Sequence, residues 1–122
     1  MAKWSNDAGL NAALAWFAGS TILHVCTSQP ADYAAIAAAS VGSVVLDSGD
    51  FAQADGDTSG RKVTIAAQSI AAATASGTAN HVALASTGDS TLRYVTTITP
   101  QAITSGNPIE VGSWKIELAD PS

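Results

Sequence analysis

The sequence predicts an all-β chain: one antiparallel β-sandwich domain of jelly-roll-like character, covering residues 1–122, with a short N-terminal helix over about residues 6–18. Three observations carry that expectation. Beyond Thr21, apolar residues recur at alternate positions in short runs, as in Leu23 and Val25, Val63 and Ile65, Val82 and Leu84, and Ile109 and Val111, which is the period of a strand with one buried face. Turn formers separate the runs, most clearly at Asp47-Ser48-Gly49-Asp50, Thr87-Gly88-Asp89-Ser90 and Ser105-Gly106-Asn107. Helical signals are confined to the N-terminal part of the chain.

The first element is the helix. Ser5, Asn6 and Asp7 offer side-chain oxygens to the unpaired amides of a helix start. Leu10, Ala13, Leu14 and Phe17 then follow helical spacing, and Gly19 supplies a left-handed stop. Thr21 to Thr27 reads as the first strand, with Leu23 and Val25 on one face and Ile22, His24 and Cys26 on the other. Pro30 at a first helical position and the alanines from Ala34 to Ala39 predict a second helical segment of one or two turns. Val41 to Leu46 returns to β character, and its consecutive Val44, Val45 and Leu46 suit a strand buried on both faces or bent at its end.

Asp47 to Lys62 gathers aspartates, glycines and the adjacent cations Arg61 and Lys62, and it is expected to be an exposed loop. Val63, Ile65 and Ala67 resume a strand. From Gln68 to Asn80 the chain is mostly small residues, read as a close-packed edge strand with a turn at Ser76-Gly77. Two strands around the turn Thr87 to Ser90 make a hairpin. Pro100 is expected to end the second of them. In the last strand the apolar phase shifts between Val111 and Trp114, and a bulge at Gly112-Ser113 would keep both sets on the core while Glu110, Lys115 and Glu117 face water.

A chain of 122 residues is long enough for one real core. Although 47% of residues are hydrophobic, much of that is alanine, and only 12% are charged, which suits a protein that hides surface in an assembly. Five basic residues against ten acidic ones give a net charge of -5, so no basic stripe is available for nucleic acid or anionic lipid. The opening Met-Ala-Lys-Trp-Ser-Asn-Asp has no apolar core of a signal peptide, and the largely apolar run Tyr33 to Leu46 is too short to span a bilayer. A soluble product of the cytoplasm is expected. Cys26 is alone and forms no internal disulfide.

Few constellations point to chemistry. His24 and Cys26 at i and i+2 could begin a zinc site, but zinc takes about four ligands, and His81 is the only other histidine. Asp55, Asp57, Ser59 and Gly60 match the first half of a calcium loop, yet Ala66 stands where the bidentate glutamate belongs. A turn whose aspartates bond their own backbone is the expectation instead. No Gly-x-Ser-x-Gly elbow, phosphate-cradling loop or cleft of paired acids is visible, so no enzyme and no cofactor is expected. Trp114 sits at the core phase and Trp4 precedes the helix as a staple, whereas Trp16 falls beside the apolar stripe, where it could meet a partner.

The segments Ser48-Gly49-Asp50-Phe51 and Ala54-Asp55-Gly56-Asp57-Thr58-Ser59-Gly60-Arg61-Lys62-Val63-Thr64 resemble small virion proteins of tailed bacteriophages. Ser76 to Leu84, Leu92 to Thr97, Trp114 to Pro121 and Val25 to Pro30 are similar to further parts of that group, so the resemblance covers nearly the whole chain. It implies a head decoration, or cement, protein on the capsid surface, a homotrimer that bridges subunits of the major capsid protein, with no catalytic motif. Its candidate contacts are Trp4, Trp16, Asp50, Asp55, Asp57, Arg61 and Lys62. Alternatives are a tail or head-fibre component of the same particle, or a carbohydrate-binding adsorption module.

Overall fold

The computed structural model describes residues 7–57 and 60–118. Trp4, the Ser5 and Asn6 of the helix cap, and Ser59 of the calcium half-motif lie outside the described residues. The chain is all-β and antiparallel, with a short N-terminal helix, α1 (Asp7–Ala18), and a single further turn of helix, α2 (Ile36–Ala39). The strands are β1 (Ile22–Cys26), β2 (Ser40–Val45), β3 (Phe51–Asp55), β4 (Arg61–Ile65), β5 (Gln68–Ile70), β6 (Gly77–Ser86), β7 (Thr91–Ile103), β8 (Ile109–Val111) and β9 (Trp114–Leu118). They gather into two compact units: α1, β3, β4 and β9 form the smaller, and β1, α2, β2 and β5 to β8 the larger.

In the larger unit four strands run in the order β2-β1-β6-β7. Leu23 pairs with Leu84 and Val25 with Val82, and all four are fully buried, as the period-2 alternation requires. Gly42 stands opposite Val25 on that same face. The β5–β8 ribbon lies against it, so closely that a Cβ on Gly42 would be 2.9 Å from Ile109 Cδ1 and 3.3 Å from Ile70 Cγ2. On the opposite face the small Cys26 and Ala83 pack with Ala39 of α2. Small side chains on the sheet let the helical turn approach closely.

In the smaller unit the order is β3-β4-β9. Val63, Ile65 and Ile116 share the face toward α1 with the fully buried Leu14, while Lys62, Lys115 and Glu117 lie on the other. That alternation is what a sheet with one face in water demands.

The structure corrects several expectations. Asp47 to Lys62 is not one loop: a 3-10 turn at Ser48–Asp50 leads into β3, which pairs antiparallel with β4. Polar and small residues are tolerated because β3 is an edge strand, exposed along Ala52 to Asp55. Val45 is 77% exposed, since β2 is also an edge, while Leu46 turns inward and donates its N–H to Thr21 O at 2.8 Å. Gly19 ends α1 by donating to Ala15 O and Trp16 O without a positive φ; the left-handed glycines are Gly60 and Gly106. Pro30 does not open α2, which begins after a turn held by Asp32 Oδ1 accepting from Ala35 N at 2.9 Å.

Gly77 is the first residue of β6 rather than part of a turn, and a Cβ there would stand 2.9 Å from Thr27 Cγ2. Pro100 lies within β7 and does not end it. β7 is an edge strand, and its register with β6 breaks between Ala79 and His81, so the missing N–H falls where the ladder is already interrupted. Gly112-Ser113 is not a bulge within one strand. It separates β8, paired with β5, from β9, paired with β4, and the apolar phase shifts because two sheets with their own cores are being served. The hairpin turn at Thr87 to Ser90 and the turn at Ser105 to Asn107 occur as expected.

Candidate functional site

The acidic stretch is organised by its own side chains. At its start Gly49 N donates to Asp47 Oδ1 at 2.9 Å and Asp47 N donates to Asp50 Oδ2 at 2.9 Å, a reciprocal capping box around the 3-10 turn. Asp50 is thereby committed to the backbone. Register places Asp55 opposite Arg61, and the two form an ion pair at 2.6 Å. Arg61 also donates through Nε to Asn11 Oδ1 of α1 at 2.8 Å, which ties the hairpin to the helix.

On the water-facing side of the same sheet the charges form a connected group. Asp57 accepts from Lys62 at 2.6 Å and pairs with Lys115, while its own N–H donates to Glu117 Oε2 at 3.0 Å. Lys115 lies 3.7 Å from Glu117 Oε2. Register explains the grouping, because Lys62 stands directly opposite Glu117 and Thr64 opposite Lys115. Asp55 and Asp57, the two carboxylates of the calcium half-motif, thus each hold a cationic side chain. Among the described residues no group of three or more His, Cys, Asp or Glu side chains is placed to hold a metal ion.

Sequence reasoning placed Asp50, Asp55, Asp57, Arg61 and Lys62 in one loop as candidate contacts; in the structure Asp50 caps the 3-10 turn, and Asp55, Asp57, Arg61 and Lys62 pair with one another at β3 and β4. It did not find the roles of Asn11, Lys115 and Glu117. The alternation Lys115-Ile116-Glu117 beside Lys62-Val63 was the available signal, but only a strand register turns it into neighbours.

Trp16 is different. It is 47% exposed on α1 and meets Phe17 edge-on with ring centroids 5.4 Å apart. Around it the outward residues of α1 are Ala8, Gly9, Ala12, Ala13 and Ala15, all exposed and none charged. α1 therefore presents an apolar outer surface with one large aromatic on it.

His24 and Cys26 share a sheet face, and Cys26 stands opposite His81 on β6. They do not converge on a ligand. His24 Nδ1 lies 3.0 Å from Ser40 Oγ, and His81 Nδ1 lies 2.5 Å from Asn80 Oδ1. Burial holds the His24 imidazole below its usual pKa and pushes the Cys26 thiol up to about 11, so the sulfur is a protonated, inert core group. No helix among the described residues is long and apolar enough to cross a membrane. Comparison with known proteins finds no matching family model, no similar curated protein and no similar solved structure.

Proposed function

We propose that the chain is a structural virion protein of a tailed bacteriophage, a decoration protein that binds the outer head lattice as a homotrimer and stabilises the shell. The observation that carries the reading is the outer surface of α1, where Trp16 is 47% exposed among small uncharged residues. Exposed tryptophan in apolar surroundings is characteristic of association surfaces, where aromatic anchors dominate the binding energy. The resemblance of nearly the whole chain to small phage virion proteins supplies the kind of partner, the major capsid protein. Several such contacts per trimer act together, so modest individual affinities are enough to hold the particle against internal pressure.

Within this reading Arg61 and Lys62 keep the β3–β4 hairpin in shape, and Trp16 makes the contact. The test is co-sedimentation of purified protein with capsids of the encoding phage that lack it. Wild-type protein pellets with the capsids to a fixed stoichiometry, and Trp16→Ala lowers the apparent affinity by about thirtyfold, the loss typical of an aromatic anchor. No sedimentation of wild-type protein refutes the reading. Binding to glycans that is lost in Trp16→Ala would replace it with the adsorption module.

A further inference from the structure

The larger unit contains a half-enclosed cavity of about 120 Å³ lined by His24, Tyr33, Ile36 and Ala37, between β1 and the turn that leads into α2. Its polar groups are constrained. The Ser40 hydroxyl donates to Gly42 O at 3.2 Å, and a hydroxyl has one proton, so at its 3.0 Å contact with His24 it accepts from Nδ1–H. This fixes the neutral imidazole as the Nδ1–H tautomer and leaves Nε2 as a lone-pair acceptor. Neither Nε2 nor the Tyr33 hydroxyl has a hydrogen-bond partner among the described residues. The remaining lining, Ile36 and Ala37, is apolar.

A site of this kind selects for an apolar body with a hydrogen-bond donor at one end. The volume limits the body to about one six-membered ring, since a closed apolar cavity of about 150 Å³ holds benzene and this one is smaller but open on one side. An aliphatic cation is disfavoured, because no carboxylate lines the cavity. An anion is disfavoured as well, because it could accept only from the neutral Tyr33 hydroxyl and would meet the lone pair of His24 Nε2. We infer that this cavity binds a phenolic ring, with the phenol O–H donating to His24 Nε2 and the ring against Ile36 and Ala37. The site uses none of the α1 residues on which the capsid reading rests, and neither reading depends on the other.

The experiment is a nuclear magnetic resonance titration of the whole protein, observing the His24 imidazole nitrogens, with phenol, anisole and benzene as probes. Anisole keeps the ring and oxygen of phenol and lacks only the donor proton. The expected result is a saturable shift at His24 Nε2 with phenol and binding about tenfold tighter than anisole or benzene, as one partly buried hydrogen bond provides. Ala37→Leu is the blocking variant, since Ala37 is exposed at the cavity and enlarging it there does not disturb the core. It should abolish the phenol shift while leaving the backbone spectrum elsewhere unchanged. N-acetyltyrosine amide separates the sources: binding as tight as phenol assigns the ring to a tyrosine of a partner protein, and binding of phenol alone to a free small molecule. Equal affinity for phenol and anisole, no saturable shift at His24, or undiminished binding in Ala37→Leu would each overturn the inference.

Discussion

The two units of this chain use the same antiparallel sheet in different ways. Among the described residues the smaller holds Asp7, Asp47, Asp50, Asp55, Asp57, Arg61, Lys62, Lys115 and Glu117, whereas the larger, over a longer stretch of chain, has Asp32, Asp89, Arg93 and Glu110. The difference follows from how many faces are covered. Three strands with a helix on one side leave the other side in water, where charges are tolerated and pair across strands. The four-stranded sheet has the β5–β8 ribbon against one face and α2 near the other, so the buried side chains of β1 and β6 are mostly apolar or small. One unit is held by a thin core plus surface electrostatics, the other by packing.

The sharpest way to break this comparison is to remove a core side chain from each unit. Leu84→Ala in the larger unit should destabilise by about 2–5 kcal/mol, because the side chain is fully buried and the cavity cannot collapse between packed layers. Leu14→Ala removes the one fully buried helix residue of the smaller unit and falls in the same range of about 2–5 kcal/mol. Denaturant titration measures both, and a loss below about 1 kcal/mol for Leu14→Ala would mean that the thin core contributes little.

Close approach in the larger unit is tested by Gly77→Ala. The new methyl would stand 2.9 Å from the branched Thr27 Cγ2, and the expected loss is about 1–3 kcal/mol. Thr27→Ser with Gly77→Ala should recover part of it, which a thermal melt would register.

Titration distinguishes the units by pH. His24 is held below 6.5 by burial, so between its folded pKa and 6.5 the unfolded chain binds more protons than the folded one. Stability contributed by neutral His24 is therefore complete above pH 6.5 and declines as pH falls through that window. His24→Gln should flatten this slope. An unchanged slope would place the pH dependence elsewhere.

The smallest effect belongs to the charged face of the smaller unit. Asp57→Ala removes the partner of Lys62 and Lys115, yet these side chains are 23% to 48% exposed, so the loss is about 0.2–1 kcal/mol and shrinks in high salt. A larger, salt-independent loss would show that the Asp57 side chain supports the hairpin by more than its charge, since the substitution keeps the backbone N–H that donates to Glu117.

Much of the fold was legible because alternation is a local signal. Leu23 and Val25, Val82 and Leu84, and the turn at Thr87 to Ser90 all report their own surroundings. What escaped depends on position within a sheet. Val45 looks like core and is exposed because β2 is an edge, and Pro100 looks like a terminator and sits inside an edge strand at a break in register. The odd step from Val111 to Trp114 was visible, but a bulge and a change of sheet produce the same pattern. At the candidate site, Trp16 was found from its place beside the helical stripe, whereas the partners of Asp57 were hidden because Glu117 is distant in sequence and adjacent only through the β4–β9 register.

The most direct test of the proposed role is cryo-electron microscopy of capsids of the encoding phage that lack the protein, imaged after adding it back. The account predicts regular trimeric density on the outer head lattice, with α1 and Trp16 against the major capsid protein. Density confined to the tail, or none on the particle, would contradict it.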